Sequence, residues 1–316
     1  MIIQYNIQGL QKMERVRIAL QKSGRLSEDS LSLLKNCGLH IDRSKDQLFC
    51  RVKELPIDIL MIRDDDILGF VGSGICDLGI VGENVFAEKQ ESARIVERLG
   101  FSFCRLSIAV PESSTYQNLK DLDEKTIATS YPALLQKALL KQGVKAKILD
   151  MTGSVEVAPR LKIADAICDI VASGATLTAN NLREIEVLLE SEALLIRSSK
   201  KLCEEKEKTI QRLWNRMRGT LQATDSKYIM LHAEKARLPD IVRLLPGAES
   251  PTVLPLQGSE DEIAVHAVCR EAVFWETLEK LEEAGASAIL VLPIEKMMNC
   301  ERKERKYERY FEPCSL

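Results

Sequence analysis

The stretch CDIVASGATLTA (168–179) carries the residue types that an anion site requires. An apolar strand, CDIVA, runs into Ser173, Gly174, Ala175 and Thr176 and then into a helix. Small side chains let backbone N–H groups approach a phosphate closely, and a helix N-terminus adds partial positive charge. The hydroxyls of Ser173, Thr176 and Thr178 supply further donors. The dipole is worth only about 0.3–1 kcal/mol at an exposed site, so several donors must act together. The spacing is not that of a Walker loop, because G-x-x-x-x-G-K-[ST] is absent. From spacing alone, a phosphate cradle and a plain strand-to-helix turn with a Ser/Thr cap stand level.

Other turns fall where α/β proteins hold ligands, beyond the C-terminal ends of strands. They are QKSGRL (21–26), IRDDD (62–66), VGEN (81–84), ATSYP (128–132) and TGSVEVAPR (152–160). Lys22 and Arg25 are suited to phosphates. Asp64, Asp65 and Asp66 can orient a sugar or a metal, or simply decorate a helix N-terminus with acids. Glu156 and Asp169 are carboxylates beside apolar sequence, where a bare charge is costly unless it is used. Arg160 and Lys162 read as solvated.

The elements that must position these residues alternate along the first two-thirds of the chain. Strands are expected at 16–20, 57–62, 77–81, 107–110, 125–130 and 145–150. Between them come a helix opened by Ser27 with Glu28 and Asp29 in its first turn, helices over 64–74 and from Gly82 and Glu83, and the helix PALLQKALLKQG. This alternation predicts α/β architecture with mainly parallel sheets. A long charged helix, 200–219, is expected to end at Gly219. Beyond it the order becomes β-α-β-β-α-β, a ferredoxin-like unit. The domain boundary is expected around 219–227, and residues 1–12 and the charged C-terminal stretch read as peripheral additions.

Composition excludes several classes. The 316 residues are 45% hydrophobic and 29% charged, which fits two or three soluble globular domains. Lys+Arg number 44 against 47 Asp+Glu, so no basic excess points to nucleic acid. The three histidines, His40, His232 and His266, are too scattered for a His-rich metal site. The nine cysteines form no C-x-x-C pair and their count is odd, so reduced thiols and a cytoplasmic location are expected. No apolar run approaches the roughly 20 residues of a membrane span, and no secretory signal is visible at the N-terminus.

Taken together, RIALQKSGRLSEDS, RDDDILGFVGSGICDLGIVGEN, IATSYPALL, GSVEVAPRLKIADAICDIVASGATLTANNLREIE, SKYIMLHA, LLPGAESPTVLPL and FWETLEKLEEAGASAILVLPIEKMM resemble the ATP phosphoribosyltransferase family. The resemblance is to the long form with a C-terminal regulatory domain. It covers about residues 14–298, with Leu68 departing from the proline usual after Asp-Ile.

The resemblance implies a two-lobed catalytic core of the type-II periplasmic-binding-protein kind, plus a ferredoxin-like (ACT-like) α+β domain. Lobe 1 would hold 14–107 and 184–224, lobe 2 108–183, and the regulatory domain 225–298, with 1–13 and 299–316 peripheral. It further implies that N1 of the ATP adenine attacks C1 of phosphoribosyl pyrophosphate, releasing pyrophosphate with Mg²⁺ as cofactor. Asp169 and Ser173, Gly174, Ala175, Thr176 and Leu177 would hold the phosphoribosyl donor, with Glu156 and Asp169 catalytic. Lys22, Gly24, Arg25, Leu26, Asp65 and Glu83 would line the ATP side. Histidine would inhibit between subunits around Ala248, Ser250, Thr252 and Ser287. AMP is a further implied ligand, and dimers to hexamers are the implied assembly. A non-catalytic ligand sensor on the same fold is the alternative, but such a protein is expected to carry a signal peptide or a DNA-binding module.

Overall fold

The computed structural model describes residues 14–42, 47–89, 92–224, 226–245, 251–270 and 275–297. These form two compact units: residues 14–32 with 39–209, and residues 33–38 with 210–297.

The first unit opens with β1 (Val16–Gln21) and α1 (Arg25–Asn36). The helix starts two residues before Ser27, not at it. Gly24, at φ +94°, turns the chain, and its carbonyl accepts the Glu28 N–H at 3.1 Å. Ser27 is therefore inside the first turn and buried. β2 (Phe49–Arg51), β3 (Ile57–Ile62), α2 (Asp64–Gly72), β4 (Leu78–Gly82), α3 (Glu83–Lys89) and β5 (Ala93–Arg98) follow. The chain then crosses to a second sheet. There it forms β6 (Cys104–Pro111), β7 (Thr126–Thr129), α4 (Pro132–Gln142), β8 (Lys147–Asp150), β9 (Ala166–Val171), α5 (Ala175–Ala179) and β10 (Leu182–Ser191). β11 (Ala193–Ser198) returns to the first sheet, and α6 (Glu204–Thr224) follows.

The strand orders are β2-β3-β1-β4-β11-β5 and β10-β6-β9-β7-β8. Each sheet has a parallel triad, β3-β1-β4 or β8-β7-β9, flanked by one antiparallel strand that the chain inserts while passing between lobes. That strand is β11 in the first sheet and β6 in the second. The crossovers therefore fall at 99–103 and at Glu192, so β6 and β10 both lie wholly in the second lobe. The expected cuts at 107/108 and 183/184 run through these two strands. The 3.6-residue and 2-residue patterns blur here because β10 carries irregularities between Glu184 and Glu186 and between Val187 and Leu189.

Aliphatic side chains build the cores, as the low aromatic content requires. Ile67, Leu68, Val71, Val81, Leu194 and Ile196 fill the first lobe, and Leu106, Ile108, Leu135, Leu139 and Cys168 the second. Leu68, the departure from the family's proline, lies fully buried in α2. α2 sits so close to β4 that a Cβ on Gly79 would fall 2.9 Å from the methyl carbons of Ile67 and Val71. Gly79→Ala is therefore expected to cost about 1–3 kcal/mol through overpacking. Thermal denaturation should show a lower Tm, and an unchanged Tm would refute the close fit.

In the second unit, β12 (Ser226–Glu234), α7 (Leu238–Leu244), β13 (Thr252–Pro255), β14 (Glu262–Arg270), α8 (Trp275–Glu283) and β15 (Ser287–Pro293) form a sheet of order β13-β14-β12-β15. All its pairings are antiparallel, the ferredoxin-like arrangement. Ile229, Leu231, Ile241, Val265 and Leu281 form its core. α6 does not end at Gly219. The helix continues to Thr224, and Gly219 is there for space, since a Cβ would collide with the carbonyl oxygen of Met297.

Among the described residues, all seven cysteines are free thiols and no helix is long and apolar enough to cross a membrane.

Candidate active site

Asp169 lies on β9 between Cys168, which faces the apolar core, and Ile170. Strand alternation therefore turns its carboxylate to the other face, where it accepts the Ile170 N–H at 2.8 Å. Burial pushes the Asp169 carboxyl up. The Ile170 N–H offsets part of that rise, and the Glu156 charge adds to it. Glu156 stands on a short 3-10 turn, Val155–Val157, preceded by Ser154 at φ +53°. A serine in the left-handed region is uncommon and marks a strained loop. The two carboxylates named from sequence thus feel each other across the end of the second sheet. Ser107 is the cross-strand partner of Asp169 and is fully buried, with no hydrogen-bond partner for its hydroxyl among the described residues.

Immediately after β9, the turn 172–177 is held open by Gly174 at φ +84°, where an added Cβ would meet nothing within 4 Å. Leu177 is buried and anchors the turn, while Ser173, Ala175 and Thr176 remain exposed. One hydroxyl proton and one backbone N–H are already engaged inside the turn. Thr178 Oγ1 donates to the Gly174 carbonyl at 3.3 Å, and Ser173 Oγ accepts the Ala175 N–H at 3.4 Å. α5 spans only five residues, so its dipole is small, and the hydroxyls and free N–H groups of the turn are the donors it offers to an anion.

On the first lobe, Gly24 gives QKSGRL its turn, and the Arg25 guanidinium donates to the Phe103 carbonyl. Lys22 is exposed, Leu26 half-buried. Glu83 opens α3 and is gripped by Arg98, whose Nη1 also reaches Glu192 at 3.2 Å. A cavity of about 400 Å³ opens here, lined by Glu83, Arg98, Phe103, Cys104, Arg105 and Ala172 among others. Arg105 Nε donates to both oxygens of Glu184 at 2.9 Å. Its Nη1 lies 3.5 Å from the carbonyl of Ala172, the first residue of the turn after β9. Of the residues singled out from sequence, Glu83 lines this cavity, and Ala172, which precedes Ser173, lines it too.

Lys22, Gly24, Arg25, Leu26 and Asp65 are not among the residues that line this cavity; Asp65 is exposed in the first turn of α2 and pairs with Lys89 at 3.1 Å. Asp64 is the acid of the triplet that lies near the site, close enough to influence Tyr131. The Tyr131 hydroxyl accepts from Asn84 Nδ2 at 2.8 Å. Burial pushes its phenol up, and Asp169 and Asp64 reinforce this, so it stays protonated at neutral pH. Cys168 is pushed up to about 12, mainly by burial, and burial likewise raises Cys104. Neither is a thiolate nucleophile at neutral pH.

Sequence reasoning did not single out Arg98 and Arg105. Their signal was a pair of arginines bracketing the short crossover RLGFSFCR, legible only once the crossover is recognised as such.

In the second unit, Thr252 lies exposed on edge strand β13 and Ser287 on the opposite edge strand, β15. Three strand spacings, about 14 Å at ~4.8 Å each, separate those edges within one chain. Ala248 and Ser250 lie outside the described residues, as do the two terminal stretches. His266 Nδ1 bonds the Tyr228 hydroxyl at 2.5 Å, a packing role.

The fold is that of the two-lobed, type-II periplasmic-binding-protein-like group, with an added ferredoxin-like α+β domain. Residues 63–219 match the family model of ATP phosphoribosyltransferase, and residues 223–296 match that of the HisG C-terminal domain. The chain is 53% identical over 290 residues to the ATP phosphoribosyltransferase of Maricaulis maris (strain MCS10), covering 90% of this chain and 99% of that one. It is also similar to a chain of the ATP phosphoribosyl transferase (HisG:HisZ) complex from Thermotoga maritima, with a TM-score of 0.57 and 25% identity. That likeness covers 66% of this chain and 98% of the other. The chain belongs to the ATP phosphoribosyltransferase family, transferases of histidine biosynthesis.

Proposed function

We propose that this chain joins the phosphoribosyl group of phosphoribosyl pyrophosphate to N1 of the adenine of ATP, releasing pyrophosphate. The observation that carries this reading is the Asp169–Glu156 pair beside an open, small-residue turn at 172–177, whose first residue, Ala172, lines the same cavity as Glu83 and Arg98. The N1 lone pair forms the new bond to C1 as the C1–oxygen bond breaks, and that electron pair leaves on the diphosphate. Such a displacement needs positioning and charge stabilisation, and no covalent nucleophile.

Each group then has a task. The exposed hydroxyls of Ser173 and Thr176 and the N–H groups of Gly174, Thr176 and Leu177 hold the 5-phosphate. Asp169 accepts from the ribose hydroxyls and fixes C1 in line with the incoming nitrogen. Its negative charge also favours the positive charge that develops on the ribose ring in the transition state. Lys22 and Arg25 face the triphosphate, and Gly24 and Leu26 shape the turn that carries them.

Mg²⁺ fits this donor set. Among the described residues no group of three or more His, Cys, Asp or Glu is poised to hold a metal. Mg²⁺ in phosphate sites uses one or two carboxylates and takes its remaining ligands from substrate phosphates and water. Glu156 is the carboxylate that would hold it, and a cation there would supply charge neutralisation for the departing diphosphate.

The test is incubation with ATP, Mg²⁺ and phosphoribosyl pyrophosphate, following N1-phosphoribosyl-ATP and pyrophosphate. Product is expected only when both substrates are present, and its absence under every condition would refute the reading.

Histidine is the proposed inhibitor, bound between subunits of a homo-oligomer, dimer to hexamer, with AMP a further ligand. The opposite-edge positions of Thr252 and Ser287 favour a site that two chains complete together. Thr252→Ala is expected to weaken histidine inhibition without lowering uninhibited turnover. Equal inhibition in the variant would remove Thr252 from the site. The free thiols favour a cytoplasmic location.

A further inference from the structure

α4 begins without a cap of its own. Its N-cap residue, Tyr131, makes no side-chain cap hydrogen bond, and Pro132 at the first helical position has no N–H. The first intrahelical bond runs from the Leu135 N–H to the Tyr131 carbonyl at 3.1 Å. Two donors, the N–H groups of Ala133 and Leu134, are left over, as at any helix start.

Both are taken by one side chain from the other lobe. Glu88, on α3, accepts the Ala133 N–H at 2.8 Å on one carboxylate oxygen and the Leu134 N–H at 2.9 Å on the other. Glu88 is the penultimate residue of α3, at the helix end where a carboxylate is electrostatically disfavoured. Its charge is favourable only at the N-terminus of α4. The same helix makes two further polar bridges. Asn84 Nδ2 donates to the Tyr131 hydroxyl at 2.8 Å, and the Asn84 N–H donates to Ser191 Oγ, at the end of β10, at 3.0 Å.

These contacts adjoin the chemistry on both sides. Glu83, the first residue of α3, lines the cavity with Arg98. The turn before α4 follows β7, which pairs with β9 one residue before Asp169.

We propose that Glu88 is a positioning residue for phosphoribosyl transfer. It supplies, from the first lobe, the cap that α4 of the second lobe lacks, and so holds the ATP-side wall at working distance from Asp169 and the 173–177 turn. The cap exists only while the lobes are together, so it favours the closed cleft over the open one. This rests on the two-substrate reading proposed above.

The experiment compares Glu88→Ala and Glu88→Gln with the parent chain. Half-saturating concentrations are measured for both ATP and phosphoribosyl pyrophosphate, and amide hydrogen exchange is followed over residues 131–137. Loss of the carboxylate cap in Glu88→Ala is expected to raise both half-saturating concentrations roughly threefold to thirtyfold, the range a lost helix cap corresponds to. The saturated rate should change less than threefold. Exchange at Ala133 and Leu134 should quicken without substrate and slow again when both substrates are added. Glu88→Gln, which keeps an acceptor oxygen, should fall between the two and covers the case that the alanine variant does not fold.

Unchanged half-saturation for both substrates would overturn the proposal. So would a lower Tm with both substrate parameters intact, which marks a cap of local importance only. A parent chain that forms no product from the two substrates would instead sink the functional reading, and the exchange measurement would still report on the cap.

Discussion

Asp169→Asn should lose turnover on the order of 10²–10³-fold, the scale of removing one preorganised electrostatic group. At neutral pH the same variant should melt at a higher temperature than the parent. The sign follows from the direction of the carboxyl's shift. Burial, aided by the Glu156 charge, raises Asp169 above the ordinary carboxylate range in the folded state. The folded chain therefore holds that proton more tightly than the unfolded chain does, and stability is lost as pH rises through the interval between the two values. Asparagine removes this penalty. The gap in Tm should be widest at neutral pH and close below the ordinary carboxylate range, where both states carry the proton. Full activity in the variant would remove Asp169 from the site, and a lower Tm at neutral pH would contradict the origin given for its shift.

Gly174→Val should raise the half-saturating phosphoribosyl pyrophosphate concentration at least about tenfold. Two effects add. A β-branched residue at φ +84° is strained, at about 1–3 kcal/mol for a sparsely populated backbone region. Its methyl groups would also project into the open space above the turn, where no protein atom lies within 4 Å of the added Cβ. Because no protein neighbour is crowded, any fall in Tm reports backbone strain, and Gly174→Ala separates that strain from bulk. The half-saturating ATP concentration should move much less. A phosphoribosyl pyrophosphate value indistinguishable from the parent's would exclude the turn as the phosphate cradle.

Much of the architecture was legible from the chain because it obeys local rules. IDILMI and PALLQKALLKQG announce a buried strand and a Pro-started helix, and both formed where expected. The errors came where a distant contact overrides local preference. Gly219 reads as a helix stop until Met297 is seen to occupy the space a side chain would need. Ser27 reads as a cap until Gly24 is seen to make the turn two residues earlier. The site divides in the same way. Asp169 and the 173–177 turn are consecutive on and after β9, so a local pattern names them as candidates, and Glu156 lies close enough to act on Asp169. Arg98, Arg105 and Glu88 acquire their meaning from partners on other elements, and no spacing rule points to them. Asp65, in a suggestive triplet, pairs with Lys89 across to α3, a contact that the triplet's spacing does not announce.

The strand that each lobe borrows has a consequence for how the chain acquires its structure. β4 and β5 are not neighbours in the first sheet, since β11 lies between them and pairs with both. About a hundred residues, the whole second lobe included, separate β5 from that strand. A nascent chain that has completed β5 therefore holds two unpaired edges and a gap, and must wait for residue 198 before the sheet can close. Closing so long a loop is entropically costly and makes for slow folding. During synthesis the second lobe, whose own strands are consecutive from β6 to β10, is placed to fold first, although β1 to β5 of the first lobe leave the ribosome before it.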